Sequence, residues 1–455
     1  MYGKKTSPFL YLLYIIIMIF LMADQGHAEE TLTLEKAVEN AIKNNQLIQG
    51  AHARLQADLE NVKVGFSRFL PRLDLQERIE QTNSPPMVFT QKLQQEAFTA
   101  QDFQLNRLNH PSAYNNWKTQ FILTQPIFDQ GKEWIGYETA KTQANKTDTE
   151  LLKIKQTIRF LVEKTYYDTL LSQGRLNVLE NSLKTASSLE DLASKRYSTG
   201  NALFSDVTSA RVHKAQVEME KIKAEGDWQI AMARLNKLMG LPQDTAWCLS
   251  DATELLNSQL DLLNKSLAEL TDIAVQKRPD MTIAQKHLEL GRLNTKQAEF
   301  SYLPSVSLQG VYEMNAKDFV GSDGDAWAVA GVISFNLFNG TGDKARIAAA
   351  KLQEQAISHQ VKDMEEQVRM EVREAYYNLK TALKQREVAR HSLENAQEAF
   401  RILQSRYNNG MALMVELLAA ETALKQAGLD LQRTSFDVLT AETGLKLSTG
   451  LLDTN

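Results

Sequence analysis

The chain has 455 residues with 21 Gly, 9 Pro and one Cys; glycine and proline fall below their usual ~7% and ~5%, which excludes collagen-like, Pro-rich and many-turned all-β chains. Lys+Arg number 51 against 56 Asp+Glu, a net charge of -5, so no basic excess exists to neutralise nucleic-acid phosphates. The lone Cys248 excludes internal disulfides, Cys-rich zinc sites and Cys-x-x-Cys redox chemistry, and a mean hydropathy of -0.35 argues against a polytopic helical membrane protein.

The N-terminus reads as an export signal over residues 1–28. Lys4 and Lys5 precede an apolar run from Phe9 to Met22, too short to span a bilayer, and Gly26-His27-Ala28 offers small residues for cleavage. No cysteine stands near that junction, so no lipid anchor is expected.

The mature chain then uses one unit twice. A shift of 210 aligns Phe128 with Phe338, Tyr166-Tyr167 with Tyr376-Tyr377, Arg196-Tyr197 with Arg406-Tyr407 and Gly240-Leu241 with Gly450-Leu451. Upstream, Leu70-Pro71 matches Leu303-Pro304 at a shift of 233, so the first copy carries 23 extra residues. The expected division is repeat 1 over 29–250 and repeat 2 over 251–455, each with a lead-in helix, two strands and a long helical hairpin.

In repeat 1 the lead-in helix covers about 33–68. Leu73, Leu75 and Ile79 then alternate with Asp74, Gln76, Arg78 and Glu80, and a return strand sets Trp117, Phe121 and Leu123 against Lys118, Gln120 and Thr124. The surplus residues fall near 81–115, a Gln-rich polar stretch with Pro85, Pro86 and Pro111 that reads as a long exposed connection. In repeat 2 the lead-in helix covers 266–302. Val306, Leu308, Gly310, Tyr312 and Met314 share one strand face, and Trp327, Val329, Gly331, Ile333 and Phe335 share a face of the partner strand. Period-2 alternation over about ten residues matches transmembrane β-strands. The turn Gly321-Ser322-Asp323-Gly324-Asp325 lacks the spacing of a calcium loop.

Segments 131–197 and 341–407 contain no proline, whose interior cost is about 3 kcal/mol, so each can run as one helix on the order of 100 Å long. Leu176, Leu179, Leu183 and Ala186 step by 3, 4, 3, as do Leu393, Ala396, Phe400 and Leu403, which is coiled-coil spacing. At each far end Arg-Tyr-x-x-Gly (Arg196–Gly200, Arg406–Gly410) supplies a basic last turn and a glycine for reversal. Residues 205–239 and 415–449 return as helices. Four strands with outward apolar faces cannot close alone, so protomers are expected to share one barrel.

Leu70-Pro71 and Leu303-Pro304 before the strands, Gln125-Pro126-Ile127-Phe128-Asp129 and Phe335-Asn336-Leu337-Phe338-Asn339-Gly340 at the strand-to-helix junctions, and the two tips all occur in order, twice. In this the mature chain resembles the TolC-like outer-membrane efflux protein family. The resemblance implies a mainly α fold with a small β part: long antiparallel helical hairpins forming an α-barrel, and four transmembrane strands per protomer completing a trimeric twelve-stranded β-barrel. It implies a homotrimer in the outer membrane extending into the periplasm, set in lipid. Its partners would be a periplasmic adaptor (membrane fusion protein) and an inner-membrane pump, and the channel itself would conduct passively.

Family members narrow at the periplasmic tip, and the equivalent positions here are Asp206 and Glu416, also 210 apart. Three protomers would ring six carboxylates. Where some members carry a second acid one turn later this chain has Ser209 and Ala419, and helix N-terminal acids favoured by the macrodipole are the competing explanation for both. Tyr197 and Tyr407 are expected near the constriction, as latches or as packing groups. Arg196, Gly200, Arg406 and Gly410 at the tips are the expected adaptor contacts.

No enzyme, cofactor or metal is expected. The seven histidines show no His-Glu-x-x-His or other ligand spacing, and Gly340-Thr341-Gly342 lacks the rest of a phosphate loop. Met411 and Met414 near one tip are a faint sign of metal-ion efflux. The alternative reading is an exported coiled-coil structural or adaptor protein that bridges membranes without a pore, against which the duplicated strand pairs argue.

Overall fold

The computed structural model describes residues 31–250, 261–319 and 321–452; the expected export signal lies outside the described residues. They divide into two compact units, each drawing on both sequence repeats. One takes in the described residues of Met1–Gln49, Ile154–Ala274 and Met370–Asn455, the other Gly50–Lys153 and Val275–Arg369.

The second unit holds a four-stranded sheet of β2 (Arg72–Thr82), β3 (Tyr114–Asp129), β5 (Ser305–Ala316) and β6 (Gly324–Ser334), antiparallel throughout in the order β2-β3-β5-β6. Register joins the expected faces across all four strands. Leu75 opposes Phe121, Phe121 opposes Tyr312 and Tyr312 opposes Trp327; Leu73, Leu123, Gly310 and Val329 form the adjacent row. This apolar face is exposed, with Leu73 at 65% and Trp327 at 75%. Each such side chain forgoes about 1.5–3 kcal/mol of burial while it faces water. Glu77, which shares this face with one other acid, Asp325, accepts a hydrogen bond from the Thr119 hydroxyl. The other face carries Arg72, Asp74, Gln76, Lys118, Gln120, Gln309 and Glu313 beside small residues of β6, with Ile122, Val311 and Val332 as exceptions. Among the described residues, edge strands β2 and β6 each lack a partner on one side. Pro126 does not end β3 but sits at a bulge, where the register shifts between Pro126 and Phe128; proline has no N–H to give a ladder, and a bulge tolerates that.

The stretch 81–115, expected as a long exposed connection, has regular structure of its own. It folds into α3 (Pro85–Gln94), a 3₁₀ turn (Ala100–Phe103) and α4 (Leu105–Asn109). Pro85 and Pro86 occupy the first turn of α3, where missing N–H groups cost nothing. Phe89, Phe98 and Phe103 stack edge to face with centroids 4.7 and 5.1 Å apart, and Lys92 pairs with Asp102 at 2.6 Å. Polar composition hid this small core because few apolar residues suffice to build it. The unit also contains α2 (Gln46–Ser67) from Gly50 onward and α8 (Pro279–Phe300), the later parts of the expected lead-in stretches 33–68 and 266–302, each of which breaks into two helices.

Helices α5 (Lys132–Ser198) and α9 (Gly342–Asn408) are each 67 residues long and 210 positions apart, one residue beyond the expected bounds. They turn back into α6 (Phe204–Met239) and α10 (Met414–Ser448). In the first unit the coiled-coil stripe is buried through Leu179, Ala186, Leu189 and Ala193 of α5. The short parallel pair β1 (Thr31–Leu32) and β4 (Cys248–Leu249) closes beside Tyr166, whose hydroxyl donates to the Leu32 carbonyl at 2.9 Å. Helix α1 (Leu34–Asn44) begins at Thr33, whose side chain accepts from Lys36 N. It meets the end of α6, where Asn45 Nδ2 donates to Leu238 O at 2.8 Å. A further helix, α7, spans Leu267–Lys277.

Candidate functional site

The two hairpin tips share one backbone design. Gly200 and Gly410 both adopt φ +74, the left-handed region glycine enters without a Cβ penalty. Asn201 N donates to Arg196 O and Met411 N to Arg406 O, both at 2.8 Å, closing the Schellman bond that ends α5 and α9. The next helices start alike. Asp206 Oδ2 accepts from Leu203 N at 3.2 Å, and Glu416 Oε2 from Leu413 N at 2.9 Å. One oxygen of each carboxylate thus satisfies a free N–H at a helix N-terminus. The expected ring acids are therefore also helix-capping groups.

Side chains break the symmetry that the backbone keeps. Arg196 Nη1 crosses from the first hairpin to the second and donates to the carbonyls of Tyr407 at 2.6 Å and Asn408 at 3.0 Å. Its guanidinium lies 5.1 Å from the centre of the Tyr407 ring. Those carbonyls are among the last of α9, which carry the negative end of the helix dipole. Gly410 lies under the same side chain: a Cβ there would stand 3.4 Å from Arg196 Nη2. Tyr407 is buried at 4% exposure among Leu189, Ala193, Val207, Ala210, Met414, Leu417 and Leu418. Burial pushes its phenol above the ordinary value, the Asp206 charge pushes the same way, and Arg196 opposes both. Among the described residues its hydroxyl has no hydrogen-bond partner.

Tyr197 occupies the equivalent position and behaves differently. It is half exposed and rests against Phe204, centroids 5.5 Å apart. Arg406 is exposed. The structure thus gathers Arg196, Tyr407, Gly410 and Asp206 at one place and leaves Tyr197 and Arg406 at the surface. Of the methionines, Met414 is core and Met411 exposed.

A buried polar cluster farther along the returning helices escaped the sequence reading. Glu421 of α10 is 3% exposed; it accepts from Ser182 Oγ of α5 and bonds His213 Nε2 of α6 at 2.6 Å. Burial pushes the Glu421 carboxyl up, but the bonds from His213 and Ser182, with the Lys425 charge, hold it below the ordinary value. Lys425 itself bonds Glu220 of α6 at 2.9 Å. The signal was present in the spacing Met414, Leu417, Glu421, Leu424, which puts an acid on the apolar stripe.

Comparison with known proteins agrees with this architecture. A family model described as outer membrane efflux protein matches residues 37–241 and 270–451. The chain is 22% identical over 424 residues to the alkaline protease secretion protein AprF of Pseudomonas aeruginosa, covering 91% of this chain and 83% of AprF. The solved structure of CusC superposes with a TM-score of 0.78 at 17% identity, covering 92% of each chain. The outer membrane protein VceC of Vibrio cholerae superposes at 0.73 and 17% identity, covering 92% of this chain and 96% of VceC. At these identities the structural likeness is one of fold.

Proposed function

The chain belongs to the outer membrane efflux protein family, and from that premise we propose that three copies form the exit duct of a tripartite efflux or type I secretion system. The duct is passive: a periplasmic adaptor and an inner-membrane pump supply cargo and energy. The observation that carries the reading is the sheet, with one apolar face continuous and exposed across four strands and an unpaired strand at each edge. Lipid supplies no hydrogen bonds, so open edges are not tolerated there; β6 of one copy must meet β2 of the next. Three copies give twelve strands, within the range of single-chain outer-membrane barrels. Exposed apolar residues on α6 (Val212, Met219, Ile222 and Ile230) and α9 (Met370, Tyr377 and Val388) support helix pairing between copies as well.

In this reading the hairpin tips form the periplasmic entrance. Arg196 holds the second hairpin against the first, and Gly200, Arg406 and Gly410 with the exposed tip residues meet the adaptor. Asp206 and Glu416 ring the narrowest point, where carboxylates attract cations and admit divalent block. Because each acid also caps its helix, charge and structure must be tested separately. Asp206→Asn with Glu416→Gln keeps an acceptor for the capping bond and removes the charge. Planar-bilayer recordings of that variant should show weakened cation selectivity and loss of divalent block. The Ala pair should additionally cost about 0.5–2 kcal/mol per helix start. Unchanged selectivity in the Asn/Gln variant would leave the two acids with capping as their whole role.

A further inference from the structure

The folded segment between β2 and β3 has a definite side. On β3 the apolar face carries Trp117, Phe121 and Leu123, so Asn116, Lys118 and Gln120 lie on the opposite face; on β5, Glu313 and Asn315 share that opposite face. The segment's side-chain bonds reach side chains of this face. Gln95 Nε2 donates to Asn116 Oδ1 at 2.8 Å, Asn116 Nδ2 to Asn315 Oδ1 at 3.0 Å, and Gln94 Nε2 to Glu313 Oε1 at 3.4 Å. Tyr114 donates its hydroxyl proton to Gln95 Oε1 at 2.7 Å, fixing the amide between strand and helix.

The contact is close as well as polar. Asn116 is 3% exposed and Asn315 0%, and Val88 and Gln91 of α3 are buried with them. At Gly324, the first residue of β6, an added Cβ would lie 2.3 Å from Gln94 O, so only glycine admits the helix at this distance. Among the described residues repeat 2 has no helix between β5 and β6, and Asp323 there accepts from Lys317 N. The 23 surplus residues of repeat 1 are what build the difference.

We propose that this helical cap is an exit constriction, folded into the barrel at its outer mouth, that limits the size of what can leave. The inference rests on the channel reading above: if the apolar face meets lipid, the face that holds the cap lines the lumen. Each protomer contributes one cap. Exposed Leu93, Phe103 and Leu105 give three caps around one axis apolar surface to bury against each other. Size selection at the exit is then a property of the outer-membrane protein itself, separate from the tip constriction.

The test uses the full chain in intact cells, with Cys248→Ser removing the native thiol and Gln309→Cys placing a reporter on the polar face of β5, inward of the cap. A small maleimide and a polymer-linked maleimide are added from outside. The small reagent should label the reporter at similar rates with or without the cap. The polymer should label slowly in the capped protein and roughly tenfold faster when Pro85–Asn109 is replaced by a four-residue turn. Gln95→Ala with Asn116→Ala keeps the chain length and releases the anchor, so it should also raise the polymer rate, and it serves if the deletion does not assemble. Equal polymer rates in capped and released proteins overturn the constriction. Failure of the small reagent in every variant would show that the polar face opens onto no lumen, and would overturn the channel reading along with it.

Discussion

Ile158→Pro should abolish assembly of the proposed duct. Ile158 lies inside α5 and is 2% exposed. Proline there removes one i→i−4 hydrogen bond and clashes with the preceding turn, at a cost of about 3 kcal/mol or more. The buried side chain is also lost, and typical domains hold only about 5–15 kcal/mol in reserve. A kink would further turn the distal half of the coiled-coil stripe away from its partner. The readout is the yield of heat-resistant oligomer in the outer membrane, with Ile158→Ala as the packing control. The Ala variant should assemble at reduced stability and the Pro variant should not. Normal yield from the Pro variant would count against a continuous helix at this position.

Glu421→Ala should destabilise the returning helices by about 3 kcal/mol, because it strands His213 and Ser182 without their acceptor in a buried site. Replacing both members of the pair, His213→Leu with Glu421→Leu, should restore most of that loss, since apolar packing often substitutes for a buried pair at no net cost. The pH dependence follows from the carboxyl being held below its ordinary value. Its stabilisation is complete above the unfolded Glu range, near about 4.3, and is lost as pH falls through the lower folded value. Melting curves of purified oligomer should therefore show an acid-side loss in the wild type that the double Leu variant lacks. Equal acid sensitivity in both would remove Glu421 from the account.

Much of the fold was legible because its elements obey simple periods. Alternation marked Leu73–Ile79 and Trp327–Ile333, and the register joins those faces; β6 ends at Ser334, short of the expected Phe335. Proline-free runs bounded the two long helices to within one residue. Arg-Tyr-x-x-Gly placed both reversals, because a left-handed glycine leaves a mark in sequence. What failed to show was tertiary. Tyr197 and Tyr407 sit in the same local motif, yet one is exposed and the other buried, since Tyr407 packs into the cluster of Leu189, Val207 and Leu417 and Tyr197 does not. The cap was hidden in a Gln-rich stretch because its order comes from a few aromatics and from hydrogen bonds to Asn116, distant in structure class though near in number. Glu421 is one helix acid among many in the sequence, and only its packing against Ser182 and His213 sets it apart.

The site residues divide along the same line. Gly200 and Gly410 have conformations that sequence can specify, and the capping bonds of Asp206 and Glu416 depend only on position in their own helices. Whether those carboxylates also face a pore depends on neighbouring copies, which single-chain periodicity does not encode. The edges of β2 and β6 make the same point for the sheet, whose exposed face and unpaired strands have no use in an isolated chain.

The central claim is that copies of this chain enclose a conducting path through a membrane. Planar-bilayer recording of the purified, detergent-stable oligomer tests it most directly. Discrete, cation-selective current steps are expected, and they should be reduced by divalent cations on the side that carries the hairpin tips. An oligomer that enters the bilayer and produces no current steps would contradict the account and favour a membrane-bridging protein without a pore.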